Sequence, residues 1–147
     1  VFDRASEKFL LDGWEAPAND DWGAAWWIGR DPAELAVPLN LPPGAARITV
    51  RSRTRLDEPA MRASMAVEVN GIEAGRFEAG VPEASASVIE VPAEQAGRLF
   101  RRGFNRIAFR SLGVTPVDPT DTRPPGRLSR LRVWPVAIYE LRIEQGQ

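Results

Sequence analysis

The chain has 147 residues, a formal net charge of −1, and hydrophobic and charged fractions of 44% and 27%, a balance typical of one globular domain. The near-zero net charge argues against nucleic acid as a partner. The absence of cysteine excludes thiol nucleophiles and disulfides, and the absence of histidine removes the commonest general base. We therefore expect a single domain over residues 1–147 that does not act as an enzyme.

The first distinctive feature is a tryptophan-rich segment, since four of the five tryptophans lie between residues 14 and 27. Sugars stack on aromatic rings through their C–H faces and pair their hydroxyls with carboxylates and amides. The sequence offers that mixture in one loop-rich stretch, which is the candidate ligand site: Trp14, Glu15, Asn19, Asp20, Asp21 and Trp22. The alternative is that these tryptophans belong to the core. Adjacent strand residues point to opposite faces, so either Trp26 or Trp27 should cover an outer surface or a partner.

Two alternating strands follow. Residues 35–41 carry large apolar side chains at odd positions. Pro38 predicts either an edge strand or an outward-facing position, because proline donates no hydrogen bond to a sheet. In residues 47–55, one face holds Ile48, Val50, Ser52 and Thr54, and the other face is a basic stripe of Arg47, Arg51, Arg53 and Arg55. Such a stripe could hold a phosphate, an acidic glycan or anionic lipid headgroups. The alternative is a solvated outer face with three acidic cross-strand partners, Glu68, Glu73 and Glu78.

A β-hairpin is predicted at Asn70-Gly71, because a type I′ turn requires positive φ at both central positions. The two-residue loop places Val67 opposite Ala74 and Glu68 opposite Glu73, the latter a like-charge pair. A bulge at Gly75 would turn Phe77 toward the core.

The second half of the chain predicts a strand over residues 85–91, a helix over residues 92–100 and a strand over residues 104–110. Residues 112–130 contain four prolines and are predicted to form a long irregular segment. Within it, Asp118 and Asp121 are candidate oxygen ligands for calcium, although turn formation beside proline explains them equally well. The sequence predicts either no cofactor or a structural calcium ion.

The last strand shows apparent period-two alternation. Ala137, Tyr139, Leu141 and Ile143 are expected on one face, against Ile138 and more polar residues on the other. In total, about eight to ten short strands and one short helix predict an all-β antiparallel sandwich, a jelly roll.

Sequence features over most of the chain resemble the jelly-roll domains, similar to galactose-binding and carbohydrate-binding modules, that are appended to bacterial polytopic membrane glycosyltransferases. The features are a Gly-Trp and Trp-Trp opening, the Val-Asn-Gly turn at residues 69–71, the Gly-x-Asn-x-Ile segment at residues 103–107 and the final apolar strand. The resemblance implies an extracytoplasmic domain, at the cell surface or in the periplasm, tethered through a membrane-embedded parent protein. The start at Val1, without a basic and apolar leader, indicates either a processed product or an excised fragment, and the resemblance would account for a fragment.

No catalytic motif replaces the missing residues. Hydrolysis without histidine or cysteine would need paired carboxylates or a serine–lysine pair, and Lys8 is the only lysine. No glycine-rich phosphate loop follows a strand. The leading hypothesis is a non-catalytic, carbohydrate-binding-like domain that recognises the glycan acceptor or product of its parent transferase. The alternative is a structural or protein-interaction sandwich that binds no sugar.

Overall fold

The computed structural model describes residues 10–20, 23–28, 32–54, 61–79, 84–116 and 136–145. These residues form nine strands and one helix. In chain order they are β1 (Trp14–Asp20), β2 (Gly23–Ile28), β3 (Ala33–Leu39), β4 (Ala46–Thr54), β5 (Met61–Val69), β6 (Ile72–Glu78), β7 (Ser85–Val91), α1 (Ala93–Leu99), β8 (Gly103–Pro116) and β9 (Val136–Gln145).

The strands build two antiparallel sheets packed face to face. One sheet has the order β1-β2-β9-β4-β7 and the other has the order β3-β8-β5-β6. Apolar side chains from both sheets form one main core, in which Phe109, Ile48 and Met65 are among the largest fully buried residues. The predicted all-β antiparallel sandwich of the jelly-roll type, with one short helix, is confirmed.

Strand β3 lies at an edge of its sheet, as Pro38 predicts. It pairs only with β8 among the described strands, and the Pro38 side is exposed while Ala33 and Leu35 are buried. On its other side, β3 bonds to residues 10–12 only near its start, at Glu34 and Leu35, so no described neighbour requires an N–H group from Pro38.

The alternation of β4 is also confirmed, since Ile48, Val50 and Ser52 are fully buried. The expected partners of the arginine face were wrong, however. Strands β5 and β6, which carry the three glutamates, belong to the other sheet, and β4 lies between β7 and β9. Arg47 pairs instead with Glu90 of β7, at 2.9 Å between Nε and Oε1.

The β5–β6 hairpin closes with a type I′ geometry, with φ of 52° at Asn70 and 88° at Gly71. Glu68 faces Glu73 as expected, and Glu68 is neutralised by Arg110 at 3.2 Å. Val67 faces Gly75 rather than Ala74, because a bulge lies between the Val67–Gly75 pair and the Glu68–Glu73 pair.

That bulge turns Phe77 into the core, where it is 5% exposed, as predicted. Gly75 itself is required by a close approach of the opposite sheet. A Cβ atom at this position would lie 2.6 Å from Cγ2 of Ile89 on β7. A glycine here therefore lets β6 and β7 come together.

Strand β9 corrects the predicted alternation of the last segment. Val136 and Ile138 lie in the main core, whereas Ala137 and Tyr139 pack on the outer face of the sheet. A register shift between Arg51 and Ser52 of the partner strand then reverses the phase. Beyond it, Leu141 and Ile143 pack against the main core. The bulge inserts one extra residue. The four residues expected on one face therefore lie on both faces: Ala137, Tyr139, Leu141 and Ile143.

The helix α1 confirms the predicted helical segment, with Ala96 and Leu99 buried against the sandwich. It has seven residues, and no helix in the described part of the chain is long and apolar enough to span a membrane. The segment predicted to be irregular begins as a strand, because β8 continues to Pro116 and pairs with the start of β5. Residues 117–130 lie outside the described residues.

Candidate functional site

The predicted ligand stretch begins in β1, the edge strand of the five-stranded sheet. Trp14 is half-buried, and its indole Nε1–H donates to the carbonyl oxygen of Glu34 at 2.7 Å. The same ring meets Phe109 of the other sheet edge-to-face, with 6.0 Å between centroids. Trp14 therefore links the two sheets at this edge of the sandwich.

The remaining members of that stretch are placed only in part. The backbones of Glu15, Asn19 and Asp20 belong to β1. Asp21 and Trp22 lie outside the described residues. Their proposed contacts with a ligand stay a prediction.

Trp26 and Trp27 lie on opposite faces of β2, as strand geometry requires. Trp26, 5% exposed, belongs to the main core. Trp27, 8% exposed, lies on the outer face, where it packs with Ala25, Ala137 and Tyr139. The prediction that one of the two rings covers an outer surface is confirmed.

Two arginines of the predicted basic stripe lie over this outer aromatic pair. The guanidinium carbon of Arg53 lies 5.6 Å from the centroid of the Trp27 ring, and that of Arg51 lies 5.5 Å from the Tyr139 ring. Arg53 Nε also donates to the Tyr139 hydroxyl at 3.1 Å. These cation–π contacts use the arginines to cover aromatic surface. With Arg47 paired to Glu90, three of the four stripe residues have structural contacts, and Arg55 lies outside the described residues.

The candidate calcium ligands Asp118 and Asp121 lie outside the described residues. In the described part of the chain, no group of three or more acidic side chains is placed to hold a metal ion. Calcium binding therefore stays a prediction.

A cleft of about 310 Å³ lies between α1 and the loop that joins β3 to β4. Its lining residues have apolar side chains, and their backbone groups supply the polar part of its surface: Leu41, Pro42, Pro43, Gly44, Ala45, Ala46, Ala93, Ala96, Gly97 and Phe100. A Cβ atom at Gly97 would meet no other atom within 4 Å, so the helix leaves open space on this side. Two polar residues are chain neighbours of the cleft lining: Asn40 precedes Leu41, and Arg101 follows Phe100. These two residues extend the surface beyond the cleft.

An exposed aromatic ring lies on this extension. Phe104 is 61% exposed, and it is the only exposed aromatic residue in the described part of the chain. It faces the exposed Pro38 across the β3–β8 pair. Arg101 Nε donates to the Phe104 carbonyl oxygen at 3.1 Å, and Arg102 Nε donates to Asn40 Oδ1 at 3.2 Å. We call these five residues, Pro38, Asn40, Arg101, Arg102 and Phe104, the helix-end surface.

Sequence reasoning missed this surface, although a signal for it exists. In β8, Asn105, Ile107 and Phe109 are buried, so Phe104 is out of phase with the inward residues. An aromatic residue at an outward position of a strand indicates an exposed ring. Its arginine and asparagine neighbours come from two separate loops, and only the β3–β8 pairing brings them together.

Comparison of the sequence with protein-family models gave no match, and comparison with curated proteins gave none. The structure is similar to the CBM36-1 domain of a multidomain xylanase from the hindgut metagenome of Trinervitermes trinervoides, with a TM-score of 0.57, 15% identity, and coverage of 94% of this chain and 92% of that one. It is also similar to a carbohydrate-binding module CBM36 in complex with calcium and xylotriose, with a TM-score of 0.52, 10% identity and 92% coverage of both chains. A third similar structure is the K1 cleaved adhesin domain of Lys-gingipain from Porphyromonas gingivalis W83, with a TM-score of 0.51, 12% identity, and coverage of 99% of this chain and 89% of that one. At these identities, the likeness shows that the chain has the β-sandwich fold of carbohydrate-binding modules over nearly its whole length.

Proposed function

We propose that the chain is a non-catalytic carbohydrate-binding domain. The observation that carries this proposal is the exposed side chain of Phe104, close in the chain to Arg102, whose guanidinium bonds to the amide of Asn40. A sugar ring stacks its C–H face on an aromatic ring and forms hydrogen bonds with polar groups at its rim. The fold shared with two carbohydrate-binding modules, one of them described with calcium and xylotriose, supports the same function.

The β1 stretch is a second proposed contact region. It runs along an edge of the five-stranded sheet and carries acidic and amide side chains beside Trp14 and Trp22. Because the Trp14 indole N–H already bonds to Glu34, we expect Trp22 to be the more important ring for a sugar. A calcium ion held by Asp118 and Asp121 would supply further bonds to hydroxyls.

We further propose that the domain is an extracytoplasmic accessory of a membrane glycosyltransferase and recognises its acceptor or product. This domain contains no cysteine, so a Ser85→Cys variant of the parent protein gains one thiol in it, on an exposed position of β7, and its labelling is compared with that of the unsubstituted parent. A membrane-impermeant maleimide should label that variant in whole cells. Labelling only after lysis would contradict the extracytoplasmic location.

The second candidate function is a structural or protein-interaction domain that binds no sugar. It is favoured by the placement of the described tryptophans, since Trp26 and Trp27 are buried and Trp14 is half-buried with its N–H group engaged. Rings in such positions stabilise the sandwich rather than contact a ligand.

Isothermal titration with a panel of neutral and acidic oligosaccharides, with and without calcium, separates the two candidates. We expect saturable binding of one glycan class, weakened by Phe104→Ala or Trp22→Ala and unchanged by Val88→Ala. Val88 is a matched control because it is also an exposed apolar strand residue, 54% exposed, but lies on the other sheet. Absence of binding to every glycan would leave the structural role.

A further inference from the structure

The two arginines of the helix-end surface differ from five other arginines of the described chain in the kind of partner that they have. Five other arginines each lie within 3.2 Å of a glutamate carboxylate: Arg47, Arg76, Arg106, Arg110 and Arg142. Arg101 and Arg102 instead donate to a carbonyl and to an amide oxygen, which are neutral. Within the described part of the chain, neither has a carboxylate partner, so both keep an uncompensated positive charge beside Phe104.

Arginine at a helix C-terminus has an ordinary explanation, because it interacts favourably with the helix dipole. That explanation applies to Arg98, which lies in the last turn of α1. It does not extend to Arg101 and Arg102, since the chain becomes extended at Phe100, where φ is −98° and ψ is 142°. These two arginines therefore need another reason.

The two hydrogen bonds hold each guanidinium by its Nε–H, and the terminal N–H groups of these exposed side chains make no hydrogen bond to the described part of the chain. Four such donors in a plane match the two oxygens of a carboxylate, with which arginine forms bidentate, charge-assisted bonds. The bond from Arg101 to the Phe104 carbonyl holds one of these guanidinium groups at the backbone of the residue that carries the exposed ring.

We propose that the helix-end surface is a subsite for a carboxylated sugar, such as a uronic acid residue of an acidic glycan. The pyranose ring stacks on Phe104, and its carboxylate accepts hydrogen bonds from Arg101 and Arg102. A flat apolar face and a negative charge on one small unit are the two features that this surface complements. This inference rests on the proposed carbohydrate-binding function and names its ligand class.

The test compares two ligands that share one backbone, oligogalacturonate and its fully methyl-esterified form, by isothermal titration at low salt. We expect the acid to bind about tenfold more tightly than the ester, because only the acid carries a carboxylate that accepts charge-assisted hydrogen bonds from arginine. The preference should shrink as salt is raised, because the contacts are exposed. Polyglutamate, an anionic polymer without sugar rings, should not compete.

Variants assign the effect to the surface. The double variant Arg101→Gln with Arg102→Gln should bind acid and ester equally, and Phe104→Ala should weaken both. Arg142→Gln removes the same kind of charge from an exposed ion pair on the other sheet, and should change nothing. All four positions are exposed, so unchanged thermal unfolding of each variant is the check on folding.

Three outcomes would overturn the inference: equal binding of acid and ester by the parent chain, an unchanged preference in the double arginine variant, or equal capture by phosphatidylglycerol vesicles. Binding of neutral glycans without a preference for the acid would refute this inference alone. Absence of binding to any glycan would refute the proposed function as well.

Discussion

The side-chain amide of Asn70 donates a hydrogen bond to the side-chain oxygen of Asn105, with 2.9 Å between Nδ2 and Oδ1. Asn70 Nδ2 also donates to the Leu99 carbonyl oxygen at 2.8 Å. Asn105 is fully buried and bonds to both the N–H and the carbonyl of Arg101, at 2.9 and 2.8 Å. The pair thus joins the β5–β6 turn to the end of α1 and fixes the loop that presents the helix-end surface.

We predict that Asn105→Ala lowers the free energy of unfolding by about 2–3 kcal/mol, because it removes a fully buried amide that bonds to Asn70 and to the N–H and carbonyl groups of Arg101. Asn70→Gly should cost less, since glycine preserves the positive φ of the turn and removes only the side-chain bonds. Both variants break the hydrogen bond between Asn70 and Asn105. The loss of stability in the double variant should therefore be smaller than the sum of the two single losses, by about 0.5 kcal/mol or more. Urea unfolding followed by tryptophan fluorescence measures all three.

The control for this cycle is Asn40→Ala, which removes an exposed amide and should change stability by less than about 0.5 kcal/mol. Strict additivity of the Asn70 and Asn105 variants would show that the two side chains do not act as a unit.

Gly75→Ala should destabilise the sandwich by about 1–3 kcal/mol, because the added methyl group would lie 2.6 Å from Cγ2 of Ile89. Ile89→Ala in the same chain removes that atom, so the double variant should lose less than the two single losses combined. Gly97→Ala is the matched control. Its methyl group meets nothing within 4 Å, and alanine in a helix should stabilise the protein by about 0.4–1 kcal/mol. Thermal and urea unfolding would measure the loss of stability expected for Gly75→Ala and the gain expected for Gly97→Ala. A Gly75→Ala protein as stable as the parent would contradict the clash.

The outer aromatic pair makes a third prediction. Arg53→Ala should cost about 1–2 kcal/mol, because it removes a cation–π contact with Trp27 and a hydrogen bond to Tyr139. Tyr139→Phe keeps the ring and should cost about 1 kcal/mol or less. Arg142→Ala, which breaks an exposed ion pair, should cost at most about 1 kcal/mol. If Arg53→Ala and Arg142→Ala proved equally mild in urea unfolding, the contact with Trp27 would have no stabilising role.

A fourth prediction concerns the phase change in β9. Leu141→Ser should destabilise the protein by about 1–3 kcal/mol, somewhat less than for a fully buried leucine, because Leu141 packs against the main core. Arg142→Ser, one residue further on, should have an effect below about 1 kcal/mol. The reverse order in a denaturation experiment would show that the bulge does not set the inward face of this strand.

The sequence determined the local features of the fold. Alternation in β3 and β4, proline at an edge and the Asn-Gly turn are consequences of backbone geometry over a few residues, so they could be predicted without knowledge of neighbours. The same holds for the opposite orientations of Trp26 and Trp27. The predicted contacts of the β1 stretch and of Asp118 and Asp121 stay predictions.

Tertiary structure alone decided which strands are neighbours. Arg47 meets Glu90 rather than Glu68, because β4 and β5 belong to different sheets. The β9 bulge arises from pairing with β4, and the need for glycine at residue 75 arises from packing against Ile89 of the other sheet. The helix-end surface also depends on contacts between distant segments, since Asn40 and Arg102 are 62 residues apart in the chain. Side-chain direction repeats locally, whereas sheet order and register depend on long-range pairing that no short sequence pattern encodes.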